Sequence, residues 1–294
     1  MDSVISAKGF TKKYSKFTLD VPELDIPKGF ATALIGANGA GKTTLIDALC
    51  GIIHATSGEV TYFNKYKDID STELREKIGY CASSGFFPQA WKAKDIAISM
   101  ELAYDSFDRK KFEELCGQLE VDTEHTKKAR AMHKQSDGNR MRTALAAVFA
   151  RETELMVLDE PGSSLDPLMR DRLCDRMREY LDDGEGEKSI IFSTHNIADM
   201  ENAADYAVFM DAGKIIEQGF VEDLKEKYVI ARGESAGYNE VKGLLLSHNC
   251  NRTVFDGLAL SENQEKLSEM GAACERPTLQ QLSIGLLKYA EEIR

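Results

Sequence analysis

Eight residues near the start of the chain, GANGAGKT from Gly36 to Thr43, have the types and spacing of a loop that binds phosphate groups. They fit the pattern G-x-x-x-x-G-K-[ST], in which glycines let backbone N–H groups turn inward around an anion and the next helix start adds positive potential. Lys42 is expected to reach the β- and γ-phosphates of a nucleotide, and Thr43 to offer its hydroxyl to Mg²⁺. The residues predicted to bind the nucleotide here are Gly36, Ala37, Asn38, Gly39, Ala40, Gly41, Lys42, Thr43 and Thr44.

A second motif, LMVLDE at 155–160, places two carboxylates at the end of a short apolar segment. Because four apolar residues predict a buried strand, Asp159 is expected to emerge at the carboxyl end of a sheet, where ligands bind. There it would hold Mg²⁺ through water, and Glu160 would orient and polarise an attacking water molecule. A GTPase would need a DxxG motif followed by an NKxD motif. Here NKYK at 64–67 lacks the aspartate of NKxD, and it precedes DEPG at 159–162 instead of following it, so the pattern does not fit a GTPase.

The hydrophobic pattern predicts the elements that must position these residues. Short apolar runs at 30–36, 154–160 and 189–194 predict buried strands, and the helical patterns between them predict an α/β fold with a mostly parallel core sheet. A helical stretch at about 86–150 interrupts this alternation like an inserted subdomain. The segment YAVFMDAGKIIEQG (206–219) predicts a hairpin and hence an antiparallel edge.

The order of these motifs resembles the ATP-binding subunit of an ABC transporter, over residues 1 to about 225. GANGAGKTTL is similar to the Walker A motif of that family, LMVLDEPGSSLDP (155–167) to its Walker B strand and D-loop, and STHNIADMENAAD (193–205) to its switch-histidine segment. The resemblance implies a P-loop NTPase fold of the ABC type over residues 1–225. Residues 226–294 are then expected to form a small C-terminal extension that ends in a helix.

The resemblance also implies roles for three residues outside the phosphate loop. Tyr14 would stack on adenine, with a tyrosine packed in the core as the alternative. His195 would contact the γ-phosphate and take part in catalysis. Asp166 would lie at the interface between two ATPase subunits. These roles come from the family pattern and not from the spacing of the residues.

One segment, QSDGN, resembles the signature of the family only in part. The signature reads leucine-serine-glycine-glycine-glutamine at the start of a helix, and this chain keeps Ser136 and Gly138 but has Asp137 in place of the first glycine. The resemblance implies that Ser136 and Gly138 contact the ATP held by a second subunit. A capped helix that contacts no nucleotide is the alternative.

A second departure from the family follows the segment KIGY. The family has a glutamine about three residues past this tyrosine, whereas this chain has Cys81-Ala82-Ser83. Ser83 could offer an oxygen to Mg²⁺ or to water, although its side chain is much shorter than that of glutamine. The sequence therefore leaves open how the site would sense a membrane partner.

The composition restricts the class of protein. The 294 residues include 37 basic and 49 acidic side chains, and the resulting net charge of −12 argues against binding to nucleic acid or to an anionic membrane surface. The six cysteines form no CxxC pair and are predicted to be buried, reduced thiols of a cytosolic protein. No apolar run approaches the ~18 residues of a membrane span, and the first ten residues lack the features of a signal peptide.

Together these features predict a Mg²⁺-dependent ATPase that forms a homodimer or heterodimer around two ATP molecules and powers transport through a separate membrane permease. The chain is expected to be cytoplasmic and peripheral, held at the inner face of the membrane by that permease. Its ending, RPTLQQL, resembles the tails of subunits paired with small export-type permeases. Two alternatives stay open: a soluble ABC-type ATPase with a non-membrane partner, and a low-activity regulatory half of an unequal dimer.

Overall fold

The computed structural model describes residues 2–85, 87–121 and 130–294, which form two sheets and the helices that flank them. The strands along these residues are β1 (Ser3–Lys13), β2 (Thr18–Pro27), β3 (Ala31–Ile35), β4 (Ser57–Tyr62), β5 (Ile78–Cys81), β6 (Leu155–Leu158), β7 (Ser189–Thr194), β8 (Tyr206–Asp211), β9 (Lys214–Phe220), β10 (Tyr228–Glu234), β11 (Leu245–Cys250), β12 (Val254–Leu260) and β13 (Ala273–Glu275).

Ten α-helices lie along the same described residues, joined in places by short 3₁₀ turns. The helices are α1 (Lys42–Leu49), α2 (Thr72–Lys77), α3 (Ala93–Ala103), α4 (Arg109–Gln118), α5 (Asp137–Phe149), α6 (Pro167–Asp182), α7 (Val221–Lys227), α8 (Tyr238–Val241), α9 (Gln264–Glu269) and α10 (Leu279–Glu292). Among the described residues, no helix has both the length and the hydrophobicity needed to cross a membrane.

The larger sheet has nine strands in the order β4-β1-β2-β9-β8-β3-β7-β6-β5. Its centre is parallel, because β3 pairs with β7 and β8, and β6 pairs with β5 and β7. On its other side, β1 pairs antiparallel with β2 and β4, and β8 pairs antiparallel with β9, while β2 and β9 are parallel. The predicted α/β fold, with a mostly parallel core sheet and an antiparallel edge, is confirmed.

The core lies on both faces of this sheet. Alternate residues of β3 point to opposite sides, so that Ala33 and Ile35 join the apolar cluster containing α5 and α6, whereas Leu34 joins the cluster containing α1. Because both faces are covered, the central strands are continuous apolar runs in the sequence. Because these strands are parallel, the carboxyl ends of β3, β6 and β7 lie at one edge of the sheet. The residues predicted to bind the nucleotide and to act in catalysis follow these strand ends.

The helices between β5 and β6 lie in the range where the sequence predicts an inserted helical subdomain, and the bounds of that subdomain stay a prediction. Its described part contains α3, α4 and α5, while residue 86 and residues 122–129 of the predicted range lie outside the described residues. Phe112, Leu115 and Leu119 are all buried, which confirms the predicted apolar face of this helical region. The subdomain therefore joins the main core through α5 and does not form a separate one.

The residues after α7 form a second, four-stranded antiparallel sheet in the order β11-β12-β10-β13, which the sequence analysis did not predict. The last helix, α10, begins at the predicted capping box of Thr278. Its Leu279, Leu282 and Leu286 are buried in the same apolar cluster as α5 and α6. The extension thus shares the core of the larger sheet, and a domain boundary near residue 225 stays a prediction.

The cysteines only partly match expectation. Three of them are buried, but Cys250 is exposed, and Cys50 and Cys274 are partly exposed. The prediction of six buried thiols is therefore wrong. Its physical reason is that β11, which ends at Cys250, is an edge strand of the second sheet, so one side of it faces solvent.

Candidate active site

The phosphate loop, residues 36–41, connects β3 to α1 in a conformation that its glycines make possible. Gly36 lies so close to β8 that the Cβ of an alanine would stand 2.4 Å from the carbonyl oxygen of Met210. Gly39 and Gly41 have φ angles of 85° and 106°, a backbone region that residues with side chains rarely adopt. The three glycines predicted from the motif are thus required by close approach or by backbone conformation.

Lys42, the first residue of α1, is 5% exposed and folds back over this loop. Its Nζ donates to the carbonyl oxygens of Gly36 at 2.8 Å and Ala37 at 3.3 Å. The same Nζ lies 3.4 Å from Oε1 of Glu160. A buried ammonium group needs such partners, and here they hold its charge at the loop that is predicted to receive phosphates.

Asp159, directly after β6, is fully buried and is held by two hydroxyl groups. Thr43 donates through Oγ1 to Oδ2 of Asp159 at 2.9 Å, and Ser193 donates through Oγ to Oδ1 at 2.5 Å. The hydroxyl of Thr43 and the carboxylate of Asp159 are hard oxygen donors next to the phosphate loop. This donor set fits Mg²⁺, which usually takes one or two carboxylates together with substrate phosphates and water.

Glu160 stands between a lysine and a histidine, at the point where β6 gives way to a turn. Its backbone has φ of 49°, a left-handed conformation that is uncommon outside glycine and is often found at functional sites. The Glu160 N–H donates to Ser193 Oγ at 2.9 Å, and its Oε2 lies 2.7 Å from Nδ1 of His195. Because Lys42 contacts the other carboxylate oxygen, the side chain is fixed from both sides.

Ser193 is a site residue that the sequence analysis missed. Its hydroxyl both accepts from Glu160 and donates to Asp159, so one buried serine on β7 sets the directions of two adjacent carboxylates. The only local signal was a polar residue near the end of an apolar strand, two positions before His195.

A cavity of about 580 Å³ opens over these groups. Lys42 and Glu160 lie in its wall, together with part of the predicted phosphate loop and His195. Gly36, Ala37 and Ala40 belong to the loop without lining this cavity. The described residues that line it are Phe17, Asn38, Gly39, Gly41, Lys42, Thr43, Thr44, Ser83, Glu160, Ser163 and His195.

Phe17, and not Tyr14, is the aromatic residue in the cavity wall. Its ring packs so closely on Gly41 that an alanine Cβ there would lie 2.8 Å from Cζ, and it also lies against Gly213 in the β8–β9 turn. Gly213 in turn donates its N–H to the carbonyl oxygen of Ala40 at 2.8 Å, so this turn braces the phosphate loop. Tyr14 is 47% exposed, with its ring centroid 6.4 Å from that of Phe17. Stacking of adenine on Tyr14 stays a prediction.

The partial signature forms the start of α5. Ser136 is the N-cap residue, and its Oγ accepts from the N–H of Asn139 at 3.2 Å, as expected for a capped helix. Asp137 is largely exposed and forms an ion pair with Arg140 on its own helix. Gly138 packs against the carbonyl oxygen of Ser164, in the turn after β6, where an alanine Cβ would be at 2.7 Å.

These signature residues lie beside the phosphate loop and not in it. Asp137 and Arg140 line a second cavity, of about 510 Å³, whose wall includes Ser83 and Ser163. Those two serines also line the cavity over the phosphate loop, so the two cavities adjoin. Contact of Ser136 and Gly138 with a second subunit's ATP, and a metal role for Ser83, stay predictions.

Burial keeps a nearby thiol neutral. Cys81, at the end of β5, is completely buried, and this burial raises the pKa of its thiol well above the usual range. The carboxylate of Asp159 raises the pKa further. The thiol beside the carboxylates therefore acts as a small apolar group that adds no charge to the site.

Comparison with known proteins gives a consistent result. The family profile described as ABC transporter matches residues 19–163. The energy-coupling factor transporter ATP-binding protein EcfA1 of Staphylococcus aureus is 31% identical over 76% of this chain and 84% of its own length. An uncharacterised ABC transporter ATP-binding protein of Bacillus subtilis, YxlF, is also 31% identical, over 66% of this chain.

The fold has counterparts among solved structures. The structure of cbiO1 from Clostridium perfringens, described as part of the ABC transporter complex cbiONQ, is 26% identical and superposes with a TM-score of 0.60. The superposition covers 76% of this chain and 91% of cbiO1. The chain matches only part of the length of some relatives, 63% of YxlF and 58% of a relative from Methanosarcina mazei.

Proposed function

The chain belongs to the family of ABC transporter ATP-binding proteins, and we propose that it is a Mg²⁺-dependent ATPase that powers transport through a separate membrane permease. One observation carries this proposal: the carboxylate of Glu160 is fixed between Lys42 and His195, next to the Thr43–Asp159 pair, at the mouth of the phosphate loop. Such an array has the parts that phosphoryl transfer to water requires.

The residues divide the reaction between them. Lys42 and the phosphate loop hold the phosphate chain of ATP. Glu160 accepts a hydrogen bond from the attacking water and takes up its proton as the oxygen bonds to the γ-phosphorus, while the bond from that phosphorus to the bridging oxygen breaks and ADP departs. His195 holds Glu160 in position. Thr43 and Asp159 would hold Mg²⁺, which neutralises negative charge on the phosphates when it is bound.

The same proposal includes a dimer and a membrane partner. Ser136 and Gly138 would face the nucleotide of a second subunit, and Asp166 would lie at the interface between the two subunits. The chain would be held at the inner face of the membrane by the permease. In support of this, EcfA1 is named as a transporter ATP-binding protein and cbiO1 as part of a transporter complex. Export as the direction of transport is supported by the RPTLQQL tail alone.

A low-activity regulatory half of an unequal dimer is a second candidate, favoured by Asp137. This carboxylate replaces a glycine of the signature, yet its ion pair with Arg140 reduces the negative charge that it presents to an approaching nucleotide. ATP turnover by the purified chain, measured alone and with its permease, separates the two. A full motor subunit turns over ATP in both, whereas a low-activity regulatory half turns over little ATP in either.

Glu160→Gln tests the proposed chemistry. The shape of the side chain is kept, so ATP should stay bound and hold a closed dimer, while hydrolysis should slow by about 10²–10⁴. Glu185→Gln is a control, because Glu185 is also a turn glutamate in the left-handed region, with φ of 47°, but it is exposed and does not line the phosphate-loop cavity. If Glu160→Gln hydrolyses ATP at the rate of the unaltered chain, the assignment of the base is wrong and His195 becomes the next candidate.

A further inference from the structure

The segment that carries His195 has little regular structure of its own. Between β7 and β8, the chain forms only two short 3₁₀ turns, Ile197–Asp199 and Glu201–Ala203. Hydrogen bonds in 3₁₀ turns have poorer geometry than those in α-helices, and neither turn extends into a longer helix. The position of this segment, called here the switch segment (residues 195–203), therefore depends on what its side chains hold.

On one side, the switch segment is held by the turn that follows β6. Asp199 forms an ion pair with Arg170 and accepts from the side-chain amide of Asn196 at 2.8 Å. The Nε of Arg170 donates to the carbonyl oxygen of Leu165 at 2.9 Å. These contacts connect the switch segment to the same turn that starts at Glu160.

On the other side, the switch segment is held by the C-terminal part of the chain through Glu201. Its Oε1 accepts the backbone N–H of Leu279 at 2.9 Å and lies 3.2 Å from Nζ of Lys225 on α7. Leu279 is the first residue of α10, where backbone N–H groups have no partner within the helix. A carboxylate at this end of a helix is also favoured by the helix dipole.

Burial reinforces this contact. Ile197 and Met200 of the switch segment are in the same apolar cluster as Leu279 and Leu282 of α10, and all four side chains are at most 3% exposed. The hydrogen bond to Glu201 is thus made at the edge of a packed apolar contact. Movement of α10 would carry the switch segment with it, because both are parts of one packed unit.

We propose that Glu201 is a positioning residue for hydrolysis: by anchoring the switch segment to the start of α10, it sets the ring of His195 against Glu160. The C-terminal extension then controls the catalytic rate without touching the nucleotide, since the phosphate loop lies on other elements. This inference rests on the ATPase activity proposed above, and it assigns that activity a dependence on the docking of α10.

The test compares Glu201→Ala with Thr278→Ala in the full chain. Both substitutions remove a hydrogen bond from the start of α10, because Thr278 Oγ1 accepts from the N–H of Gln281 at 3.1 Å. Only the first removes a contact between α10 and the switch segment. Glu201→Ala should lower kcat by at least about tenfold, because general acid–base groups contribute about 10²–10⁴ to the rate and a misplaced His195 would forfeit part of that factor. The KM for ATP should stay within about twofold of that of the unaltered chain. Thr278→Ala should lose similar or greater thermal stability and keep its kcat.

Two further variants separate positioning from folding. Glu201→Gln keeps an acceptor oxygen for Leu279 and should recover most of the lost kcat. In a His195→Ala background, Glu201→Ala should add no further loss, because both changes act through the same ring.

Several results would overturn the inference. They are an unchanged kcat in Glu201→Ala, an equal loss of kcat in Thr278→Ala, a rise in KM at constant kcat, and full additivity with His195→Ala. An unaltered chain that binds ATP but never hydrolyses it, alone or with its permease, would instead contradict the proposed ATPase function. The two failures are thus distinguishable.

Discussion

Gly138→Ala tests whether the signature glycine is required by packing within one chain. Gly138 is the second residue of α5, and the added Cβ would lie 2.7 Å from the carbonyl oxygen of Ser164. Ordinary carbon–oxygen contacts in proteins are about 3.3 Å or longer, so the backbone near Ser164 would have to move by about 0.6 Å. Such overpacking costs about 1–3 kcal/mol, whereas alanine in a helix gains about 0.5–1 kcal/mol over glycine. The net expectation is a loss of about 1 kcal/mol of folding free energy.

The assay combines denaturant unfolding with ATP turnover. Turnover should fall as well, because Ser164 belongs to the turn that begins at Glu160 and Ser163 lines the phosphate-loop cavity. Gly117→Ala is the control, since Gly117 lies in α4 and its added Cβ would meet no atom of the described residues within 4 Å. That substitution should stabilise the chain by up to about 1 kcal/mol. If Gly138→Ala stabilises the chain as much as the control does, the close contact with Ser164 is no constraint and the reasoning is refuted.

Two substitutions test charge at the two cavities. Lys42→Ala should abolish most ATP affinity while the fold persists, because it removes the ammonium group held over the phosphate loop. A calorimetric ATP affinity equal to that of the unaltered chain would contradict this. Asp137→Gly should tighten ATP-driven dimerisation by less than tenfold and slightly lower the melting temperature. Its carboxylate is exposed and paired with Arg140, so at about 6 Å in water-like surroundings it costs under about 1 kcal/mol per phosphate charge. A gain of about a hundredfold in sedimentation experiments would show instead that Asp137 faces the nucleotide directly.

The sequence predicted those parts of the site whose conformation and chemistry are encoded together. Gly36 and Gly41 are needed for the shape of the phosphate loop, and Lys42 follows them at a fixed spacing in the sequence. One local motif therefore specifies both the loop and its lysine. Asp159 was predictable because an apolar strand must end at the ligand-binding edge of a parallel sheet. The capping box at Thr278 is likewise a local signal and was found.

The contacts that the sequence did not reveal depend on registers between distant strands. Ser193 reaches Glu160 only because β6 and β7 pair with Leu158 opposite Phe192, and no local pattern specifies that alignment. Phe17 was missed for a similar reason, because its position in the cavity wall depends on packing against Gly213, in a turn nearly two hundred residues away. Both are long-range consequences of the fold.

The second sheet was missed for a different reason. Gly257 lies in the middle of β12, where a glycine normally weakens the expectation of a strand. In the structure it permits close pairing, because an alanine Cβ there would be 2.7 Å from the carbonyl oxygen of Ser247. Gly285 of α10 similarly lies against Leu258 of the same strand. Residues that usually interrupt strands and helices are here required for the sheet and the helix to pack.

The packing of α10 into the core of the larger sheet affects how truncated forms of the chain would behave in the cell. α10 packs against β8 and the Ile197–Asp199 turn, and Arg294 forms an ion pair with Asp211 at the end of β8. Proteolysis or a premature stop codon that removed residues 226–294 would leave this apolar surface open to water. Exposed apolar surface of this kind promotes aggregation and chaperone binding. Shortened forms of the chain would therefore be lost first through low solubility and rapid turnover, before any defect in catalysis could be measured.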